Sequence, residues 1–112
     1  MAHHAKPLGG ADLVKIESYN TVPSVITAKD DYTTFILVCT QYNRAPNSEQ
    51  YYGVTVDTTA ERCHAFSVIG SSDVNGAFGA GTFVFAYRNV PAGTTFHLTY
   101  KYNYGTAIVL GA

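Results

Sequence analysis

Cys39, Cys63, His64 and His97 are the side chains of this chain best suited to nucleophilic or metal chemistry, and their spacing serves neither. A structural zinc site needs closely spaced pairs such as Cys-x-x-Cys, which the two thiols do not form. They could pair across two layers of structure. With no secretory signal in the sequence, however, two buried free thiols acting as small apolar side chains are the expected state. Neither histidine has a Ser or Cys nucleophile at a recognisable sharp turn beside it, so both are expected at a surface or an interface. His3 and His4 are adjacent near the N-terminus and make a poor metal site by themselves. The eight acidic residues are scattered; the one adjacent pair, Asp30-Asp31, is expected to cap a turn. Ser72-Asp73-Val74-Asn75-Gly76 carries part of a calcium-loop pattern but lacks the distal bidentate Glu. It reads as a chain reversal, with calcium or a sugar contact as the other readings. No catalysis, metal or cofactor is expected.

Tyrosine is the informative excess, with nine residues and no Trp. Tyr42, Tyr51 and Tyr52 bracket a segment that carries Asn43, Arg44, Asn47, Ser48, Glu49 and Gln50. A tyrosine ring offers a sugar ring an apolar face, while its hydroxyl and nearby Arg and Asn can bond sugar hydroxyls. The same combination is enriched at protein interfaces.

These residues must be positioned by strands. Between Thr94 and Tyr102, Phe96, Leu98, Tyr100 and Tyr102 alternate with Thr95, His97, Thr99 and Lys101, the period of a strand with one buried face. Gly81 to Arg88 repeats the pattern through Phe83, Phe85 and Tyr87, and Asn89 to Gly93 between the two runs reads as a turn. Thr33 to Thr40 is apolar on both faces, which suits a central strand covered on both sides or lying against a subunit partner. Leu13 to Tyr19, Pro23 to Ala28, Tyr51 to Asp57, Arg62 to Ile69 and Thr106 to Leu110 complete about eight short strands. Phe35, Leu37, Phe83, Phe85, Phe96 and Leu98 are the expected core. Two longer connections, Gln41 to Gln50 and Gly70 to Gly81, are where binding groups are expected on a rigid scaffold.

Composition agrees. Val, Ile, Thr and aromatics dominate over the strong helix formers, and the 112 residues suffice for one domain. The expected organisation is a flexible leader over residues 1–12 followed by a single all-β domain, a two-sheet jelly-roll sandwich, over residues 13–112. With 13% charged residues and a net charge of -1 there is no basic surface for phosphates, so nucleic acid is not an expected partner. No apolar run is long enough for a spanning helix and no export signal is seen. The expectation is a soluble chain without membrane insertion, either cytoplasmic or exported by a non-classical route.

The order of these features resembles a known family. An apolar double-faced strand leads into a polar loop with Tyr at each end. Cys63-His64-Ala65-Phe66-Ser67 follows, then GTFVFAYRNVPAGTTFHLTYKY and a short closing strand. This is similar to the small bacterial lectins with a tumour-necrosis-factor-like jelly roll, and the similarity spans about Val14 to Leu110. The resemblance implies a homotrimer that binds glycans, fucosylated ones among them, in pockets between neighbouring protomers, without catalysis. It places two tyrosines ten positions apart on Tyr42 and Tyr52. A Thr-Tyr pair falls on Ala65 and Phe66, so a hydroxyl contact is lost and an aromatic wall is kept. A Ser-Thr segment is met by Ser71, Ser72 and Asp73. The family's sugar-gripping arginines have no match in place, and Arg44 and Arg88 are the nearest substitutes. The reading from another class is a structural or receptor-binding jelly-roll trimer whose tyrosines pack subunits together.

Overall fold

A computed structural model describes residues 12–43, 51–71, 79–101 and 105–112 of the chain. The described residues form strands and turns with no helix, as the composition requires. The strands are β1 (Val14–Tyr19), β2 (Val25–Thr27), β3 (Tyr32–Asn43), β4 (Val54–Thr58), β5 (Glu61–Ser71), β6 (Gly79–Val90), β7 (Thr95–Tyr100) and β8 (Gly105–Gly111). Each expected strand is present. The apolar double-faced run extends further than expected, to Asn43, because β3 pairs with β6 along its full length from Tyr32↔Val90 to Asn43↔Gly79. The last residue of the expected Thr94 to Tyr102 strand, and nearly all of the expected leader, lie outside the described residues.

The strands build two antiparallel sheets, one of five strands in the order β1-β8-β3-β6-β5 and one of three in the order β2-β7-β4. Period-two alternation decides which side chains lie between them. From the larger sheet come Phe35, Leu37 and Cys39 on β3, Phe83, Phe85 and Tyr87 on β6, and Ala107 and Val109 on β8, all buried. From the smaller sheet come Ile26, Val54, Phe96, Leu98 and Tyr100. All six residues expected in the core are there. Phe96 joins the layers: its ring stacks on Phe35 at 4.8 Å and 14°, and meets Tyr87 edge-on at 5.0 Å and 61°. Such offset and edge arrangements suit the quadrupoles of the rings and add to the area that they bury.

Side chains and turns hold the connections in place. Between β6 and β7 the chain reverses through Asn89 and Gly93, both with positive φ (52° and 90°). Gly93 adopts this conformation without the steric cost a side chain would bring. The reversal is tied down by Gly93 N–H donating to Ala28 O at 2.7 Å and Ala92 N–H donating to the Asp31 carboxylate at 2.8 Å. Asp31 thus serves the capping role expected of the acidic pair. Between β4 and β5 only Thr59 and Ala60 intervene, and here the chain passes from the smaller sheet to the larger. The Thr58 hydroxyl fixes this corner by donating to Thr95 O at 2.7 Å and accepting from Ala60 N–H at 3.3 Å.

The cysteines correct one expectation. Cys39 is a buried free thiol, and burial pushes it up to about 11. Cys63 is also free but exposed, because the register slips between Arg62 and His64 and β5 overhangs the smaller sheet. Its Sγ–H points to Ala86 O at 3.4 Å. The two do not form a disulfide.

Candidate functional site

The larger sheet has a second face, turned away from the core, and no element covers it among the described residues. Register places Thr34, Ile36, Val38, Thr40 and Tyr42 of β3 on this face. Beside them lie Arg88, Ala86, Val84, Thr82 and Ala80 of β6. β8 adds Leu110 and Ile108, and β5 adds His64, Phe66, Val68 and Gly70. The middle of the face is apolar, and Phe66, Val68, Ile108 and Tyr42 are exposed on the face.

Three of the residues expected in a glycan site stand on this face. Tyr42 is 50% exposed at the β3 end, and Phe66 is 52% exposed on β5. Arg88 lies opposite Thr34 and Glu61 at the other end, and its Nε contacts Glu61 Oε2 at 3.1 Å. His64 is exposed as expected, with its ring 6.0 Å from that of Phe66. His97, also exposed, lies on the smaller sheet. Along the ladder, Tyr42 and Phe66 are two strands and four residues apart, roughly 16 Å by strand geometry. The face therefore brings the three together as a surface and not as one pocket.

Tyr52 is placed differently. Its side chain is 2% exposed and belongs to the core, so the ten-residue spacing does not put Tyr42 and Tyr52 in one exposed pocket. The reason is Gln41, a fully buried polar residue at the end of β3. Its Oε1 accepts from Gly53 N–H at 2.8 Å and its Nε2 donates to Tyr51 O at 3.4 Å. These bonds hold residues 51–53 against the sheet and turn Tyr52 inward. Its hydroxyl hydrogen-bonds the backbone of Gly79, and burial raises its pKa. The clamp was missed in the sequence; a single Gln inside an apolar strand run is the signal that could have found it.

Arg44, Ser72 and Asp73 lie outside the described residues, as does the Asp-x-Asn-Gly segment. Ser71 ends β5 opposite Gly79. Clefts open elsewhere among the described residues. One of about 440 Å³ is lined by Thr21, Val22, Ser24, Leu98, Thr99 and Tyr100. Another, of about 300 Å³, lies between β4 and β5 and is lined by Val56, Thr58, Ala60, Arg62 and Tyr87. At the far edge of the larger sheet Glu17 takes an ion pair from Lys29 at 2.6 Å and a hydrogen bond from the Tyr19 hydroxyl. The Lys29 and Tyr19 bonds hold the Glu17 carboxyl below its usual range, while burial and the Glu17 bond push Tyr19 up to about 12. This group ties the loop before β3 to β1.

Among the described residues no three or more His, Cys, Asp or Glu gather as metal ligands, and no helix is long and apolar enough to cross a membrane. Comparison with protein-family models, with curated proteins and with solved structures finds no match.

Proposed function

We propose that this chain is the protomer of a homotrimeric, tumour-necrosis-factor-like jelly-roll lectin whose glycan sites lie at the rim of its assembly face. The observation that carries the reading is the uncovered face of the five-stranded sheet, with an apolar middle and half-exposed Tyr42 and Phe66 rings toward its margins. The middle, around Val38, Val84 and Ile108, suits burial between copies. The rings suit the apolar faces of sugars, and Arg88 supplies a charged donor for sugar hydroxyls. Because Tyr42 and Phe66 are too far apart to close on one sugar within a chain, a pocket that uses both needs a neighbouring protomer. The winding supports the jelly-roll reading: β1 to β4 alternate between sheets, and the first and last strands are neighbours. β5 is the departure, since it pairs with β6 rather than joining the smaller sheet beside β4.

Burial of Tyr52 favours the second reading, a structural or receptor-binding trimer without sugar recognition. A glycan array separates the two. On the lectin reading the assembled protein retains glycans, Tyr42→Ala and Phe66→Ala abolish retention, and Tyr52→Phe changes affinity only through stability. An array without binding, from protein shown to be trimeric by light scattering, leaves the structural reading. Monomeric protein at micromolar concentration overturns both.

A further inference from the structure

The geometry points to the free edge of β5 as a strand-pairing surface for the β5 of a second copy, related by a two-fold axis between the two Ser67 residues. The inference does not depend on sugar binding or on the threefold assembly. It starts from the four sheet edges. Unpaired backbone N–H and C=O groups invite another strand, and natural edges are blunted by shortness, charge, proline or bulges. β2 has three residues and β4 five. β1 has six residues, with Lys15 and Glu17 flanking a slip in register. β5 has eleven residues, and its slip and its two charged residues fall at its start, Glu61 to His64. From His64 to Ser71 it carries no Lys, Arg, Asp, Glu, Pro or bulge, and among the described residues its outer edge is unpaired.

Burial points the same way. Residues 61–68 are exposed on both faces of the strand, including Phe66 at 52% and Val68 at 62%, because the three-stranded sheet does not reach under β5. A strand exposed on both sides lacks a partner beside it as well as beneath it.

The sequence of β5 selects a second copy as that partner. In an antiparallel pair, opposite residues share a face, so a two-fold axis normal to the sheet passes midway between a residue and its own copy. Centring on Ser67 sets Phe66 opposite the neighbour's Val68, twice, as aromatic and β-branched cross-strand pairs. It also sets Ala65 opposite Ile69 and His64 opposite Gly70. The charged starts of the two strands lie at opposite ends of the ladder, so like charges do not meet. The outer faces become one continuous apolar surface, running from Ile108 through Val38, Val84 and Phe66 into the neighbour.

The experiment is a cross-link at the axis. With Cys63→Ser removing the exposed native thiol, Ser67→Cys puts two thiols opposite each other at a Cα separation of about 4.5–5.5 Å, within disulfide range. Mild oxidation is expected to convert most of the protein to a covalent dimer, while Thr95→Cys, exposed on β7, does not. Dimer formation by Ser67→Cys no greater than by Thr95→Cys overturns the inference. A second measurement uses the unaltered chain. A nitroxide reagent labels exposed Cys63 and spares buried Cys39, and the Ser67-centred register sets the two labels about 25 Å apart. Absence of dipolar coupling in that range overturns it as well. Mass in solution distinguishes this contact from the threefold one. Two chains mean the edge contact alone and six mean both contacts, whereas one or three chains refute the edge contact. Phe66→Lys with Val68→Lys is expected to halve an even assembly. Binding of an unrelated strand peptide to a protein that stays monomeric would reassign the edge to a peptide partner and overturn self-pairing.

Discussion

β5 and β6 are hydrogen-bonded neighbours of nearly equal length, yet they have opposite fates. β6 alternates buried and half-buried positions from Gly79 to Tyr87, whereas β5 is exposed at every position from Glu61 to Val68. Both carry aromatic and β-branched residues at strand spacing, so propensity does not separate them. The second layer does: Phe83, Phe85 and Tyr87 face side chains of the smaller sheet, while Ala65 and Ser67, one strand over, are exposed among the described residues. Burial here is a property of what faces a strand.

The largest test of this contrast is a pair of truncations. Phe96→Ala removes the ring that joins the layers and is expected to cost about 3–5 kcal/mol, read from urea unfolding at fixed protein concentration. Phe66→Ala on the overhanging strand should cost less than about 1 kcal/mol under conditions where the protein is monomeric. Similar losses at both sites would show that β5 is covered in solution.

Next comes the clamp. Gln41→Leu leaves Gly53 N–H and Tyr51 C=O without their buried partner and should cost about 1–3 kcal/mol. The same variant should increase the solvent accessibility of Tyr52, visible as faster iodination. An unchanged urea midpoint would mean that residues 51–53 are held in another way.

The thiols contrast the two environments by chemistry. Cys39 titrates near 9.0 when exposed and about 11 when buried, so the unfolded chain loses this proton first as pH rises. This thiol leaves stability untouched below pH 9 and lowers it above, by on the order of 2 kcal/mol at pH 11. Tyr100, raised by burial and by Cys39, adds to the fall in the same direction. Cys39→Ala should flatten the pH dependence of the urea midpoint between pH 9 and 11. At neutral pH, Cys63 should react with a thiol reagent at the rate of an exposed cysteine and Cys39 only on unfolding.

The smallest effect is expected at the exposed Arg88–Glu61 pair. Arg88→Ala should shift stability by no more than about 0.5 kcal/mol. A larger loss would place Arg88 inside an interface.

Strand existence and the inner-face core were legible because period-two alternation is written locally; the alternating Phe96, Leu98 and Tyr100 show the buried face of β7 without any tertiary information. The partners of each strand were not legible. Nothing within Arg62 to Ile69 states whether this strand joins β4 or β6, and the exposure of Cys63 follows from that choice. Tyr52 was misplaced for a related reason. Its neighbours resemble a binding loop, and the residue that turns it inward, Gln41, lies eleven positions earlier on β3. The sequence of Thr33 to Thr40 suits a strand covered on both sides or lying against a subunit; among the described residues of one chain, the Phe35, Leu37 and Cys39 face is the covered one.

The Gln41 clamp has a bearing on how such a chain could diversify. By holding Tyr51 and Gly53 from the end of β3, it fastens the exit of the 44–50 segment to the frame independently of what that segment contains. Chain closure is then met by the frame, and the residues between the fastened points are released from that duty. Inserts of different length or chemistry, whether drifted by mutation or grafted by design, could be exchanged there while the core keeps its seal. One amide side chain would thereby uncouple the inheritance of the fold from the inheritance of the sequence of residues 44–50.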